Sequence, residues 1–271
     1  MKKLTVLFFL CIIPFIANAT ISEMSFGKWS IKFNDETKQA EFVKEGVTVL
    51  KDVKIKFKNG DVLLDASSYN SVKIKQEDIV DEVGKARKFT IEYTGSENSD
   101  NPIVYQNFYL YNGQDYFLTD VILQSPDNSI ISSNYIAPIS TEADNLFLPA
   151  DVNNRFITVP FDNDGFITYA SYPLSCSQTD PESLAIGRVA RDSVSMEVSA
   201  IFNGETQLGL VIGSVDHDTW KSAVRITGSP LAQGKITNLE CFSGVTHHIT
   251  RDMIDGVLKP HGAVKGQQVK S

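Results

Sequence analysis

Apolar and polar positions alternate along most of the chain. Trp29-Ser-Ile-Lys-Phe33 is apolar at every second residue, and Val53-Lys-Ile-Lys-Phe57 repeats the pattern with lysines between. A period of two belongs to a β-strand with one dry and one wet face. Asn59-Gly60 follows the second run and predicts a hairpin turn into Val62-Leu63-Leu64. Strands are further predicted at Phe89–Tyr93, Val104–Tyr111 and Tyr116–Leu123, the last two joined by Asn112-Gly113-Gln114-Asp115. Later runs lie at Ile130–Ile136, Arg155–Val159, Phe166–Tyr169, Val194–Phe202, Gln207–Val215 and Trp220–Ile226. Turn-rich clusters such as Ser96–Pro102 and Ser125–Ser129 separate them.

Helical signals are weak. Gln76 to Lys85 reads as a short helical turn, and Asp180-Pro-Glu-Ser offers an N-cap followed by a proline at the first helical position. Neither runs far. The expected fold is therefore all-β, a large antiparallel β-sandwich (a supersandwich) with little helix. It spans residues 20–245. After about Thr246 the pattern loosens around Gly256, Pro260, Gly262 and Gly266, and residues 246–271 read as a strandless linker.

The N-terminus has a different character. Lys2 and Lys3 precede an apolar run from Leu4 to Ile16, and Ala17-Asn18-Ala19 has the form of a cleavage site. This is the layout of a signal peptide, residues 1–19, cut after Ala19. The run is broken by Pro14 and is shorter than the roughly 20 residues a membrane span needs. The expected product is exported to the periplasm or the outside and does not span a membrane.

Charge narrows the partners. The formal net charge is −8, and loss of Lys2 and Lys3 would carry it to −10. Nucleic acid is excluded as the expected partner, because duplex binding rests on clustered Lys and Arg. Export leaves Cys176 and Cys241 in a compartment where disulfides persist. Either the two pair, or they are separate buried thiols.

Catalytic signatures are missing. There is no Gly-x-Ser-x-Gly elbow, phosphate-cradling loop, Cys-x-x-Cys or His-Glu-x-x-His. His217, His247, His248 and His261 lack zinc-ligand spacing. The acidic groupings are Asp162-Asn163-Asp164, Asp216-His217-Asp218, and Asp252 with Asp255. Carboxylates in such turns cap backbone N–H groups, contact a ligand or, for Asp162 and Asp164, hold calcium. No other cofactor is implied. Sugar recognition sets an aromatic face against the C–H side of the ring and polar groups against its hydroxyls. Phe161, Asp162, Asn163 and Asp164 supply that content in one short stretch. Trp220 is either a second platform or a core tryptophan.

These segments carry a resemblance. Val159-Pro-Phe-Asp-Asn-Asp-Gly-Phe166, Gly209-Leu-Val-Ile-Gly-Ser-Val-Asp-His-Asp-Thr-Trp-Lys221, and Thr250-Arg-Asp252 with Pro260-His-Gly262 resemble the front part of secreted bacterial α-galactosidase-like enzymes, relatives of glycoside hydrolase family 36 in the melibiase clan. The resemblance covers roughly residues 150–271. It implies an N-terminal sandwich ahead of a (β/α)₈ barrel that carries both catalytic aspartates. No barrel sequence is present, so no catalytic residue is carried over. What the resemblance implies is a sandwich loop that helps close a sugar pocket, with Asp162 and Asp164 accepting hydroxyls of an α-galactoside-type glycan. The expected function is the non-catalytic sandwich domain of such a hydrolase, inactive alone. The alternatives are a stand-alone secreted carbohydrate-binding or surface interaction module, and a small hydrolase using carboxylates of the sandwich itself.

Overall fold

The computed structural model describes residues 20–142, 147–159, 170–174, 192–216, 221–228, 234–245 and 264–271. The expected all-β architecture is what these residues build. The first strands are β1 (Ile21–Phe26), β2 (Trp29–Asn34), β3 (Gln39–Lys44), β4 (Val47–Asn59), β5 (Val62–Asp65), β6 (Tyr69–Val80) and β7 (Lys85–Ser96). Next come β8 (Ile103–Tyr111), β9 (Phe117–Gln124), β10 (Ile131–Ser133), β11 (Ile136–Glu142), β12 (Asn154–Thr158) and β13 (Ala170–Pro173). The last are β14 (Asp192–Met196), β15 (Val198–Asn203), β16 (Gly209–Gly213), β17 (Lys221–Gly228), β18 (Ile236–Val245), β19 (Val264–Gly266) and β20 (Gln268–Lys270).

They form a nine-stranded antiparallel sheet in the order β1-β2-β3-β4-β11-β18-β17-β14, with β5 added to β4. A five-stranded sheet, β20-β9-β8-β7-β6, packs against one face of it, and the smaller sheets are β13-β12-β15-β16 and β10-β19. The alternation read from the sequence is what fills the space between the two large sheets. Ile31, Phe33, Phe42, Ile55 and Phe57 from one side meet Phe89, Ile91, Val104, Phe108, Val121 and Leu123 from the other, all almost fully buried. Burying each such side chain contributes about 1.5–3 kcal/mol. The rings meet edge to face: Phe42 lies 5.8 Å from Phe108 and 5.0 Å from Phe117, Trp29 lies 4.9 Å from Phe117, and Phe33 lies 6.1 Å from Tyr93.

Several polar groups trapped in this layer are answered, while the buried Trp29 Nε1 has no hydrogen-bond partner among the described residues. The Tyr69 hydroxyl donates to the Pro102 carbonyl at 2.6 Å, and the Tyr93 hydroxyl donates to Gln106 Oε1 at 2.9 Å. Gln106 Nε2 crosses to the Pro138 carbonyl at 3.3 Å. Pro138 has no N–H for a ladder, and it sits where the register of β11 slips between Ile136 and Ile139. A proline inside a central strand is accommodated by that bulge, and its carbonyl ties the two sheets together. At one rim, Asp115 in the β8–β9 turn is gripped by Lys28 at 2.8 Å and Lys44 at 2.9 Å.

Several local expectations need correction. Gln76–Lys85 is no helix: Gln76–Val80 runs in β6 and Lys85 opens β7, because Gln76 pairs with Phe89 and Val80 with Lys85 in one long hairpin. The run at Ile130–Ile136 is two strands, β10 and the start of β11. The run at Val194–Phe202 breaks at Glu197, whose φ of 61° ends β14 in the nine-stranded sheet and starts β15 in the four-stranded one. The tail pattern showed no strand, yet β19 pairs with β10 and β20 with β9. Three-residue strands are too short to print a period on the sequence. The Asn59-Gly60 hairpin is as expected, with Asn59 opposite Val62 and Gly60 at φ 59°.

Two measurements check this account. Gly244 holds φ at 128°, and a Cβ there would lie 1.9 Å from the Asn134 carbonyl oxygen. Gly244→Ala is expected to lower stability by about 2 kcal/mol or more in urea unfolding. The two lysines hold the Asp115 carboxyl at about 2, below its ordinary 3.8. A depressed carboxyl adds stability above its unfolded value and loses it as pH falls through its folded one. The difference in melting temperature between the native chain and Asp115→Asn should therefore be full above about pH 4 and vanish near pH 2.

Candidate functional site

The residues singled out in the sequence for sugar contact, Phe161, Asp162, Asn163, Asp164 and Trp220, lie outside the described residues. So do Cys176, the four histidines, Asp218, Asp252, Asp255 and the Ala19 cleavage position. Cys241 forms no disulfide with a described residue. It packs against the main core, and burial, with the Glu240 charge beside it, pushes its thiol up to about 12. Asp216 lies at the exposed end of the segment after β16, its carbonyl accepting from the Ser214 hydroxyl at 3.0 Å. Among the described residues no group of three His, Cys, Asp or Glu is placed to hold a metal ion.

The described residues that flank those motifs gather at one end of the nine-stranded sheet. The Val159 carbonyl accepts from the Met196 N–H at 2.8 Å, and its own N–H donates to the Ser195 hydroxyl at 2.8 Å. Met196 pairs with Ala223 in β17, and Lys221, two residues earlier, pairs with Val245. Thus the approach to residue 160 meets the end of β14, while the exit from residue 220 and the departure into residue 246 lie on the paired strands β17 and β18.

Beside them is a second cluster, on the face of the sheet turned away from the main core. Tyr135, Ala137, Met196, Ala223 and Phe242 are buried there, with Val159 and Val194 packed on them. The Tyr135 and Phe242 rings lie 5.3 Å apart, and the Arg225 guanidinium sits 5.1 Å over Phe242. One row along, Lys54, Ser140, Glu240 and Arg225 line up across β4, β11, β18 and β17. Arg225 donates to Glu240 at 2.9 Å, and Lys56 lies 3.8 Å from the same carboxylate, which is only 5% exposed. Lys56 also reaches Glu142 at 3.3 Å, and Lys54 reaches Asp65 at 3.5 Å. Burial and the neighbouring Glu240 charge push the Tyr135 phenol far above its ordinary 10. The sequence reading gives Lys54 and Lys56 only as the wet positions of a strand and does not single out Tyr135, Arg225, Glu240 or Phe242. The available signal was a charge flanked by apolar neighbours, Val224-Arg225-Ile226 and Leu239-Glu240-Cys241.

This face carries both aromatic and charged content. Hydrolysis of a glycoside needs two carboxyl groups about 5–10 Å apart with room for a sugar between them. Glu142 and Glu240 share a face, but the Lys56 ammonium stands against both. A cavity of about 250 Å³ is lined by Leu148, Pro149, Ala150, Asn154, Gly234, Lys235 and Ile236, with no carboxylate in its wall. Asn154 is committed there, donating to the Pro149 and Gly234 carbonyls and accepting from Asn203.

The ion row is open to a stability test. Glu240→Gln leaves two cations facing an uncharged amide and is expected to cost about 2–3 kcal/mol in urea unfolding. Glu77→Gln, which removes an exposed pair with Lys88 at 3.3 Å, should leave the midpoint unresolved from the native chain.

No protein-family model matches the chain, and no curated protein matches it. Solved structures do. The α-N-acetylgalactosaminidase NagBb from Bifidobacterium bifidum, in its complex with GalNAc, superposes with a TM-score of 0.52 at 10% identity, covering 82% of this chain. Its complex with Gal-NHAc-DNJ gives 0.50 at 10% identity over the same share. The chain spans 33% of that enzyme's length. At this identity the likeness is one of fold: the described strands form an all-β architecture also found in one part of a glycoside hydrolase.

Proposed function

We propose that the chain serves as a non-catalytic, carbohydrate-associated β-sandwich portion of an α-galactosidase-like glycoside hydrolase, inactive by itself. The observation that carries this reading is the fold match, which takes in most of this chain and only a third of the hydrolase. Export after cleavage at Ala19 belongs to the same reading. The glycan class is an α-linked galactose or its N-acetylated counterpart, met by Phe161, Asp162, Asn163, Asp164 and Trp220. Val159, the described residue that comes just before this stretch, packs on the Tyr135–Phe242 cluster. Polar and charged side chains there would accept sugar hydroxyls, and a ring would cover the apolar sugar face.

Two experiments separate the parts of the proposal. The purified chain incubated with p-nitrophenyl α-galactoside, or with the α-N-acetylgalactosaminide, should release nitrophenol no faster than a blank. Sustained turnover would show that the sandwich holds its own reaction centre. Calorimetry with galactose- or N-acetylgalactosamine-terminated glycans should then give binding that Asp162→Ala/Asp164→Ala weakens at least tenfold, about 1.4 kcal/mol or more. Binding unchanged in that double variant would remove those carboxylates from the account.

A further inference from the structure

Several sheet edges in this fold are guarded by charges or a proline. The free side of β6 carries Lys73, Lys75, Glu77 and Asp78, β1 carries Glu23, and β13 is short and ends in Pro173. Charges and prolines on edge strands keep other chains from pairing there. The edge strand β16 has neither: residues 207–215, Gln-Leu-Gly-Leu-Val-Ile-Gly-Ser-Val, hold no charge and no proline. Leu208, Val211 and Val215 are exposed, Val211 at 70%.

Among the described residues its outer backbone groups also meet no neighbouring strand. Asn203 donates to the Leu208 carbonyl at 2.9 Å, which sets the alternation of the β15–β16 ladder. Leu210 and Ile212 then turn their N–H and C=O groups toward Ile201 and Ser199. Gly209, Val211 and Gly213 turn theirs away from β15, where β16 has no described neighbour. Ala200 stands opposite Val211 on the exposed face, with Val198 beside it opposite Gly213.

We propose that β16 is a self-association edge, pairing antiparallel with β16 of a second copy about a two-fold axis through Val211. The pattern of the strand names the occupant. Gly209-Leu210-Val211-Ile212-Gly213 reads nearly the same in both directions, so a two-fold axis sets Val211 against Val211 and Gly209 against Gly213. A two-fold interface requires this self-complementarity. All three outward residues sit at positions that exchange both N–H and C=O groups, giving about six new backbone hydrogen bonds. The glycines leave room at each end for the approaching backbone, and the facing Val211 side chains lie about 5 Å apart. Charge favours the same place: each copy has a net charge of −8, and an uncharged edge lets two like-charged molecules meet. Four-stranded sheets from the two copies would join into one eight-stranded sheet.

Sedimentation velocity across a concentration series, reaching hundreds of micromolar because the strand is short, should show the mass rising toward twice 30.0 kDa. Val211→Lys should hold the chain as a monomer at every concentration with an unchanged melting temperature. Val211→Cys should give a covalent dimer under mild oxidation, since the axis places the two Cα atoms about 5.5 Å apart, within disulfide range. Val80→Cys, equally exposed but on the charged β6 edge, should not. A chain that stays monomeric throughout, a dimer that survives Val211→Lys, or a dimer that Val211→Cys fails to link would each overturn the proposal. An edge that captured only a different polypeptide would appear as the first of these.

Discussion

Phe42 standing edge-on to Phe108 and Phe117 is the contact on which the remaining architecture depends. It joins the nine-stranded sheet to the five-stranded one through rings whose partial charges favour that geometry, beyond the area they bury. Trp29, Phe33, Phe57, Tyr69 and Tyr93 extend the layer on either side. The Tyr93–Gln106–Pro138 relay answers the polar tip of Tyr93 inside this ring layer. The bulge at Pro138 is therefore part of the core's hydrogen bonding as well as an irregularity in a strand.

With one face committed to that layer, the other face of the large sheet is left for a different use. There the row through Lys54, Ser140, Glu240 and Arg225 crosses four strands and sets Glu240 against Arg225, and the Tyr135–Phe242 cluster lies one row away. Glu197 makes the arrangement possible. Its left-handed backbone hands the chain from the large sheet to the small one, and its carboxylate is held by Lys221 at 2.8 Å. The result brings Val159, Lys221 and Val245 to neighbouring positions at one end. A scaffold of this kind presents chain segments at a common rim.

The strand alternation was legible because a half-wet strand prints a period of two, and Trp29–Phe33 and Val53–Phe57 show it plainly. Gln76–Lys85 was misread because its charges, Glu77, Asp78, Asp81 and Glu82, mimic a helix surface. In fact they protect an edge strand and form the turn after it, and edge protection is a tertiary fact with no local signature. The candidate face was illegible for a related reason. Glu240, Lys56 and Arg225 come from three strands that are adjacent only through the order β4-β11-β18-β17, which no spacing along the chain encodes. Lys54 and Lys56 looked like a wet face, and only pairing reveals that acids stand opposite them. The aromatic and acidic stretch at Phe161–Asp164 lies outside the described residues, and the sequence remains its source.

The strand β20 closes the five-stranded sheet by pairing Val269 with Leu123, and Ser271 exchanges backbone hydrogen bonds with Val121 at 3.2 and 3.0 Å. Partners so far apart in sequence make assembly slow, because a long loop must be closed before the contact returns any free energy. The order of events follows. Hairpins such as β6–β7 and β8–β9 can zip locally as they emerge from the ribosome, while the Leu123 edge of the sheet keeps its backbone groups in water until residues 264–271 are made. For that interval the newborn chain carries an unsealed sheet, and its safety against mispairing rests on how quickly residues 264–271 arrive.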